Sequence, residues 1–246
     1  MQAGFDTLIL NTLQIIVMSA LLVEAIAFSF VILKKYKLTK NVVNLYFVIL
    51  FFDLIIAGII LTIEQLSFIV LGNQLLGRTF RALVLIPTTI AGTIINLIAF
   101  HLTYTEHKWK LVIPIIVLIL IVDYFMAFAI ITGEPWSYVN ISEIYYSPEI
   151  FLILIICDIP VFFAPIATFF YYSYEARTTD LPNAKRGFFM ALGILLFSIP
   201  YVFEMIPRPL IVVVSLRSLY IASITILFIC FSMPQWFKDF IGLKED

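Results

Sequence analysis

The chain has 246 residues, 63% of them hydrophobic and only 13% charged, with a formal net charge of −1 and a mean hydropathy of +1.09. A water-soluble domain must keep its surface wet and carries no such apolar excess, while a charge this close to zero gives no sign of a nucleic-acid partner. The two cysteines, Cys157 and Cys230, lie in apolar stretches and read as small packing residues rather than a disulfide framework.

A bilayer core of roughly 30 Å takes about 20 helical residues per crossing. In chain order the apolar spans run over about 8–33, 42–63, 79–104, 110–132, 149–172, 187–206 and 209–232. They predict an all-α fold, a seven-helix transmembrane bundle forming one domain over residues 1–246, since each helix satisfies its own backbone hydrogen bonds in lipid. The runs are continuous rather than alternating, which argues against a strand barrel. Met1 to Leu8 lacks the basic region and small-residue cleavage site of a secretory signal, so the first span is expected to stay in the mature protein.

The connections between spans alternate in charge. Lys34, Lys35, Lys37 and Lys40 follow the first span, Lys108 and Lys110 the third, Arg177, Lys185 and Arg186 the fifth, and Lys238 and Lys244 the seventh. That is 11 of the 15 basic residues on one side, leaving Arg78, Arg81 and Arg208 on the other and Arg217 within the last span. The positive-inside rule then sets the amino terminus outside and the carboxyl terminus inside. Between the fourth and fifth spans, the longest loop (Thr132 to Pro148) carries Trp136, Tyr138, Tyr145 and Tyr146, suited to the headgroup layer, and a glycosylation sequon at Asn140-Ile141-Ser142. Past the last span, residues 234–243 gather Trp236, Phe237, Phe240 and Ile241 on one side and turn Lys238, Asp239 and Lys244 to water. This predicts an amphipathic helix on the inner leaflet.

Ionisable groups inside the spans are costly unless paired, neutralised or hydrated, so they mark candidate sites. A rise of about 1.5 Å per residue puts Glu24 and Asp53 level near the middle. Asp123, Asp158 and Arg217 fall together in the outer half, with Glu204 still nearer the outside. Helical spacing aligns Tyr46, Asp53, Ala57 and Glu64 in the second span, and Thr89, Thr93, Asn96 and Thr103 in the third. Asp158, Pro165 and Tyr172 align in the fifth, and Ser218, Thr225 and Ser232 in the seventh, with Arg217 at the margin. Such stripes should face the bundle interior. Two readings of Arg217 stay open: an ion pair with Asp158, Asp123 or Glu204 that locks helices together, or an arginine presented to an anionic ligand. Glu24 and Asp53 have no basic residue at their depth and are expected either as a proton-sharing structural pair or as a proton or cation site. Pro160 and Pro165 follow Asp158 closely and free backbone carbonyls beside an acid. His101 and His107 bracket the inner end of the third span as interfacial hydrogen-bonding groups.

Several chemistries are excluded. A retinal Schiff base needs a lysine in the last helix, where Arg217 is the only basic residue between Pro209 and Ser232. Two histidines are too few for a seven-helix zinc hydrolase, no nucleophile motif is present, and no internal repeat suggests a sugar transporter built from three-helix halves. With its outside amino terminus, Asp53 in the second span and the amphipathic Pro234-to-Leu243 tail, the layout resembles the seven-helix membrane sensor domains of prokaryotic receptors and, loosely, a G-protein-coupled receptor. The Asn-Pro-x-x-Tyr signature is absent, and Thr105-Glu106-His107-Lys108 only faintly echoes an acid-arginine motif, so the resemblance implies a layout and carries no residue roles.

The expectation is therefore a receptor- or sensor-like protein of the cell membrane, not an enzyme. Its outward cavity for a small molecule or lipid is lined by Arg81, Thr89, Thr93, Asn96, Asp123, Asp158, Glu204 and Arg217. The alternatives are a proton- or cation-coupled transporter of small solutes using Glu24 and Asp53, or a structural subunit of a membrane complex. Expected partners are membrane lipid, a small-molecule ligand, and a cytoplasmic or membrane protein at the Arg177–Arg186 loop and the tail. Nucleic acid, metal and cofactor are not expected.

Overall fold

The computed structural model describes residues 2–132, 137–140, 143–204, 206 and 209–243. Among them, seven helical stretches are long and apolar enough to cross a membrane: Ile9–Thr39, Val42–Gln65, Gln74–Thr103, Lys108–Phe128, Pro148–Ala176, Leu181–Phe203 and Ile211–Ser232. The chain thus has the make-up of a multi-pass membrane protein. Its helices are α1 (Gln2–Thr39), α2 (Val42–Gln65), α3 (Gln74–Leu83), α4 (Leu85–Thr103), α5 (Lys108–Thr132), α6 (Pro148–Ala176), α7 (Leu181–Phe203), α8 (Leu210–Ser232) and α9 (Gln235–Ile241). A hairpin of β1 (Ser137–Asn140) and β2 (Glu143–Tyr146) lies between α5 and α6, with Ser137 opposite Tyr146. Ile141 and Ser142 of the glycosylation sequon, Trp136, Arg208 and Lys244 lie outside the described residues.

Neighbouring helices pack in chain order, and α8 returns to α1 to close the ring. α4 is the exception, touching α2, α5 and α6. Two-thirds of the α3–α4 span is buried, against 28% of the first and fourth spans, so α4 is the central post. Large apolar side chains such as Ile16, Phe30, Ile113, Leu120 and Phe163 are exposed around the circumference, where hydrocarbon rather than water suits them. The bundle has two ends, the hairpin end with β1 and β2 and the tail end with α9.

Local chemistry accounts for the element boundaries. α1 continues to Thr39, so Lys34, Lys35 and Lys37 lie in its last turns rather than in a loop. α7 begins at Leu181, where the Asp180 side chain accepts the Asn183 backbone N–H at 3.2 Å and Pro182 sits in the first turn. Lys185 and Arg186 are therefore helical, and the α6–α7 connection shrinks to residues 177–180. The third span starts earlier than expected, capped by Asn73 (Leu76 N–H to Asn73 Oδ1, 3.0 Å), and breaks at Val84. Pro87 causes the break, because it has no N–H to return to the Leu83 carbonyl.

One sequence-derived face needs correction. In α8, Arg217 is 1% exposed and central, whereas Ser218 faces outward with its hydroxyl donating to the Val214 carbonyl at 3.0 Å. That local bond lets a serine face lipid at little cost, so the arginine sets the rotation of the helix. In α9 the three aromatic rings lie together, Phe237 against both Trp236 and Phe240. Phe237 and Ile241 pack into the core, while Trp236 and Phe240 are exposed.

Candidate functional site

At the hairpin end, four charged side chains from four segments meet inside the bundle. Arg81 of α3 donates from Nη2 to Glu64 Oε1 of α2 at 2.9 Å, and its Nη1 lies 3.6 Å from Glu204 Oε2. Arg217 of α8 donates from Nε to Glu204 Oε1 at 3.1 Å. The two oxygens of Glu204 therefore join two guanidinium groups. Glu64, Arg81 and Arg217 are almost wholly buried, and Glu204 is 10% exposed. Two acids against two bases leave the cluster without net charge, which makes such burial tolerable.

The backbone explains the convergence. Glu64 sits at the end of α2, three helical turns beyond Asp53 on the same stripe. α3 turns Gly77, Arg81 and Ala82 inward. Glu204 caps α7 just past Pro200, its N–H donating to the Pro200 carbonyl at 2.7 Å. The hairpin covers the cluster. Arg78 donates from Nε to Ser137 Oγ at 2.8 Å, and Tyr146 faces Arg81, Glu64 and Glu204. Burial pushes the Tyr146 phenol up from its ordinary value, with Arg81 opposing and the carboxylates of Glu64, Asp158 and Glu204 adding. It remains a neutral hydroxyl.

A cavity of about 40 Å³ lies against this cluster, with Arg81, Thr88, Tyr146, Tyr201, Glu204 and Tyr220 on its wall. That is room for a water or two and no more. Beside it, Tyr201 donates to Asp158 Oδ2 at 2.8 Å, and Thr89 Oγ1 lies 3.5 Å from Asp123 Oδ1. Arg217 therefore takes Glu204, while the other two acids take hydroxyl partners.

Of the residues singled out from the sequence, Arg81, Glu204 and Arg217 form one cluster, with Asp158, Asp123 and Thr89 next to it. Thr93 turns its hydroxyl to the Thr89 carbonyl at 3.2 Å. Asn96 stands apart, fully buried, donating from Nδ2 to the Gly92 and Val161 carbonyls at 2.9 and 2.7 Å. Val161 is the residue whose carbonyl Pro165 cannot bond, so Asn96 caps a proline-made gap across α4 and α6. Gly92 permits the approach, since a Cβ there would meet Val161 Cγ1 at 2.8 Å. Glu24 and Asp53 are not brought together. Glu24 accepts a hydrogen bond from Thr225 of α8, and Asp53 faces the Ala91 backbone of α4. Asp53 Oδ2 is buried without a hydrogen-bond partner among the described residues.

Glu64, Tyr146 and Tyr201 are members of the site that sequence reasoning left out of it. Glu64 had a signal in its spacing from Asp53; nothing along the chain links Tyr201 to Asp158. Among the described residues, no three His, Cys, Asp or Glu side chains converge on a metal-sized point. No protein-family profile, curated protein or solved structure matches this chain.

Proposed function

We propose that the chain is a receptor- or sensor-like protein of the cell membrane, with its amino terminus outside and a small carboxylate-bearing molecule as ligand. One observation carries the reading: the acid on the wall of the hairpin-end cavity is Glu204, which joins Arg81 to Arg217. A ligand carboxylate offers the same two oxygens to the same two guanidinium groups, so Glu204 is the group it displaces. Tyr146 and the hairpin would move aside to admit it, because a cavity of about 40 Å³ is too small for such a ligand.

Displacement would act on α7, whose last residues are held by Glu204 at the cap. At the other end of α7, Arg186 donates from Nε to the Cys230 carbonyl of α8 at 2.9 Å, and Phe189 packs on Phe237 of α9. A shift of α7 is thereby delivered to the turn at 177–180 and to α9, where a separate protein partner would read it. The protein binds and relays; it performs no covalent chemistry. A coupled transporter using Glu24 and Asp53 together finds less support, because those carboxyls face different helices.

The test needs no ligand in its first arm. Glu204→Gln, which mimics displacement, is expected to raise maleimide labelling of Cys230 at the far end, in a Cys157→Ser background. In the second arm, small mono- and dicarboxylates are screened by thermal shift, and one is expected to stabilise the wild-type protein but not Arg217→Gln. Unchanged Cys230 labelling despite lowered stability would reduce the cluster to a structural lock and sink the receptor reading.

A further inference from the structure

At the tail end lies a larger cavity, of about 230 Å³, between α4, α6 and α7, with Leu102, Tyr172, Asn183, Arg186 and Met190 on its wall. It has room for on the order of seven waters. Its one charged wall residue is Arg186. The Nε of that side chain is committed to the Cys230 carbonyl at 2.9 Å, which leaves the two terminal amino groups for the cavity. Tyr172 stands close enough for its oxygen and the guanidinium to interact. The close fit of the Tyr172 ring on α7 requires Gly187, where a Cβ would meet the ring at 3.0 Å.

Arg186 is one of three cations around the end of α8. Lys35 of α1 donates to the Phe231 carbonyl at 2.9 Å, and Lys35 feels the charges of Arg186 and of Lys238 in α9. The carboxyl end of α8 supplies roughly half a negative charge. Among the described residues no carboxylate makes an ion pair with Lys35 or Arg186, in contrast to the arginines of the hairpin end. A part-buried positive excess beside an open cavity calls for an anion. Arg186 lies five residues into α7 and Tyr172 four residues from the end of α6. At about 1.5 Å per residue, both stand near the level where lipid phosphates sit.

We propose that the tail-end cavity is a binding site for a phosphate ester or phosphate ion, held by Arg186 with Tyr172 as second donor and Lys35 and Lys238 as supporting charges. Planar guanidinium donors match phosphate oxygens, and basic pockets between helices at the membrane surface suit anionic headgroups. The site does not require the hairpin-end reading, but Arg186 also makes the α7–α8 contact used there, so Tyr172→Phe, which leaves that contact intact, tests the site alone.

The experiment reconstitutes the full chain in phosphatidylcholine nanodiscs and measures thermal stability in two titrations. One adds phosphatidic acid to the bilayer; the other adds sodium phosphate to the buffer, with sodium chloride at matched ionic strength as the control. Stabilisation by phosphatidic acid alone identifies a lipid headgroup, and stabilisation by sodium phosphate identifies the free ion; either supports the site. Arg186→Gln, which keeps a donor for the Cys230 carbonyl, is expected to weaken the effective probe about tenfold, the loss of one charge-assisted hydrogen bond. Tyr172→Phe, which leaves that bond intact, is expected to weaken it about threefold. If neither probe shifts the wild-type midpoint beyond the chloride control, the proposal fails. It fails equally if Tyr172→Phe responds as the wild type does, whatever the folding of Arg186→Gln.

Discussion

The acids of this bundle fall into two groups that the apolar surroundings treat differently. At the hairpin end Glu64 and Glu204 each reach an arginine within 3.1 Å, and the four partners come from different segments. In the middle, Glu24 has a threonine hydroxyl and Asp53 a neighbouring backbone, with no cation facing either among the described residues. The first group is a cross-bundle tie whose loss leaves a buried charge uncompensated. The second consists of contacts between helices that involve no cation, Glu24 with α8 and Asp53 with α4. Burial alone therefore says little about an acid in lipid; the identity of the group opposite decides how strongly it ties helices.

The comparison is most exposed at Arg217. Replacing it with Met leaves Glu204 joined to one arginine instead of two, and the expected cost is about 3–5 kcal/mol, typical of breaking a buried pair. Unfolding in mixed micelles would measure it, and a cost under about 1 kcal/mol would place the hairpin-end cluster in the same class as Asp53. Next in size is Asn96→Leu, which strips the cap from the Val161 carbonyl left open by Pro165. About 1–3 kcal/mol should be lost, and the same unfolding assay should show Asn96→Gln recovering part of it. Gly92→Ala tests the close approach of α4 to α6 by a different route. The added methyl meets Val161 at 2.8 Å, and overpacking of this kind costs about 1–2 kcal/mol, offset when Val161→Ala is made in the same chain. The smallest effect is expected at Asp53. Asp53→Asn should leave stability within about 1 kcal/mol of wild type, because no ion pair is broken. A loss as large as that of Arg217→Met would reveal a bound cation at Asp53 and revive the transport alternative.

Much of the site could be read from the chain, though unevenly. The depth of Arg217 and Glu204 follows from counting residues along their helices, and the pairing of Arg217 with Glu204 was among the readings the spacing allowed. Glu64 shared a stripe with Asp53 yet entered the site only through Arg81 of α3, whose guanidinium lies 2.9 Å from its carboxylate. In the α8 stripe Thr225 faces Glu24 of α1, whereas Ser218 misled, because a hydroxyl bonded to its own helix carries no information about which way it faces. Lys35 and Arg186 looked like loop charges until α1 and α7 proved longer than their apolar cores. As helical residues they reach the end of α8, which a loop residue in water would have no reason to do.

Seven helices long and apolar enough to cross a membrane, the level of each charged group along them and the presence of a short tail helix were determined by the sequence itself. Hydropathy and the rise per residue act along one helix at a time and need no partner. Rotation about each axis, and with it the choice of Glu204 over Asp158 for Arg217 and the separation of Glu24 from Asp53, was decided only when all the helices packed. Azimuth depends on which ridges, glycines and guanidinium groups of several helices can be satisfied together, and no single segment contains that information.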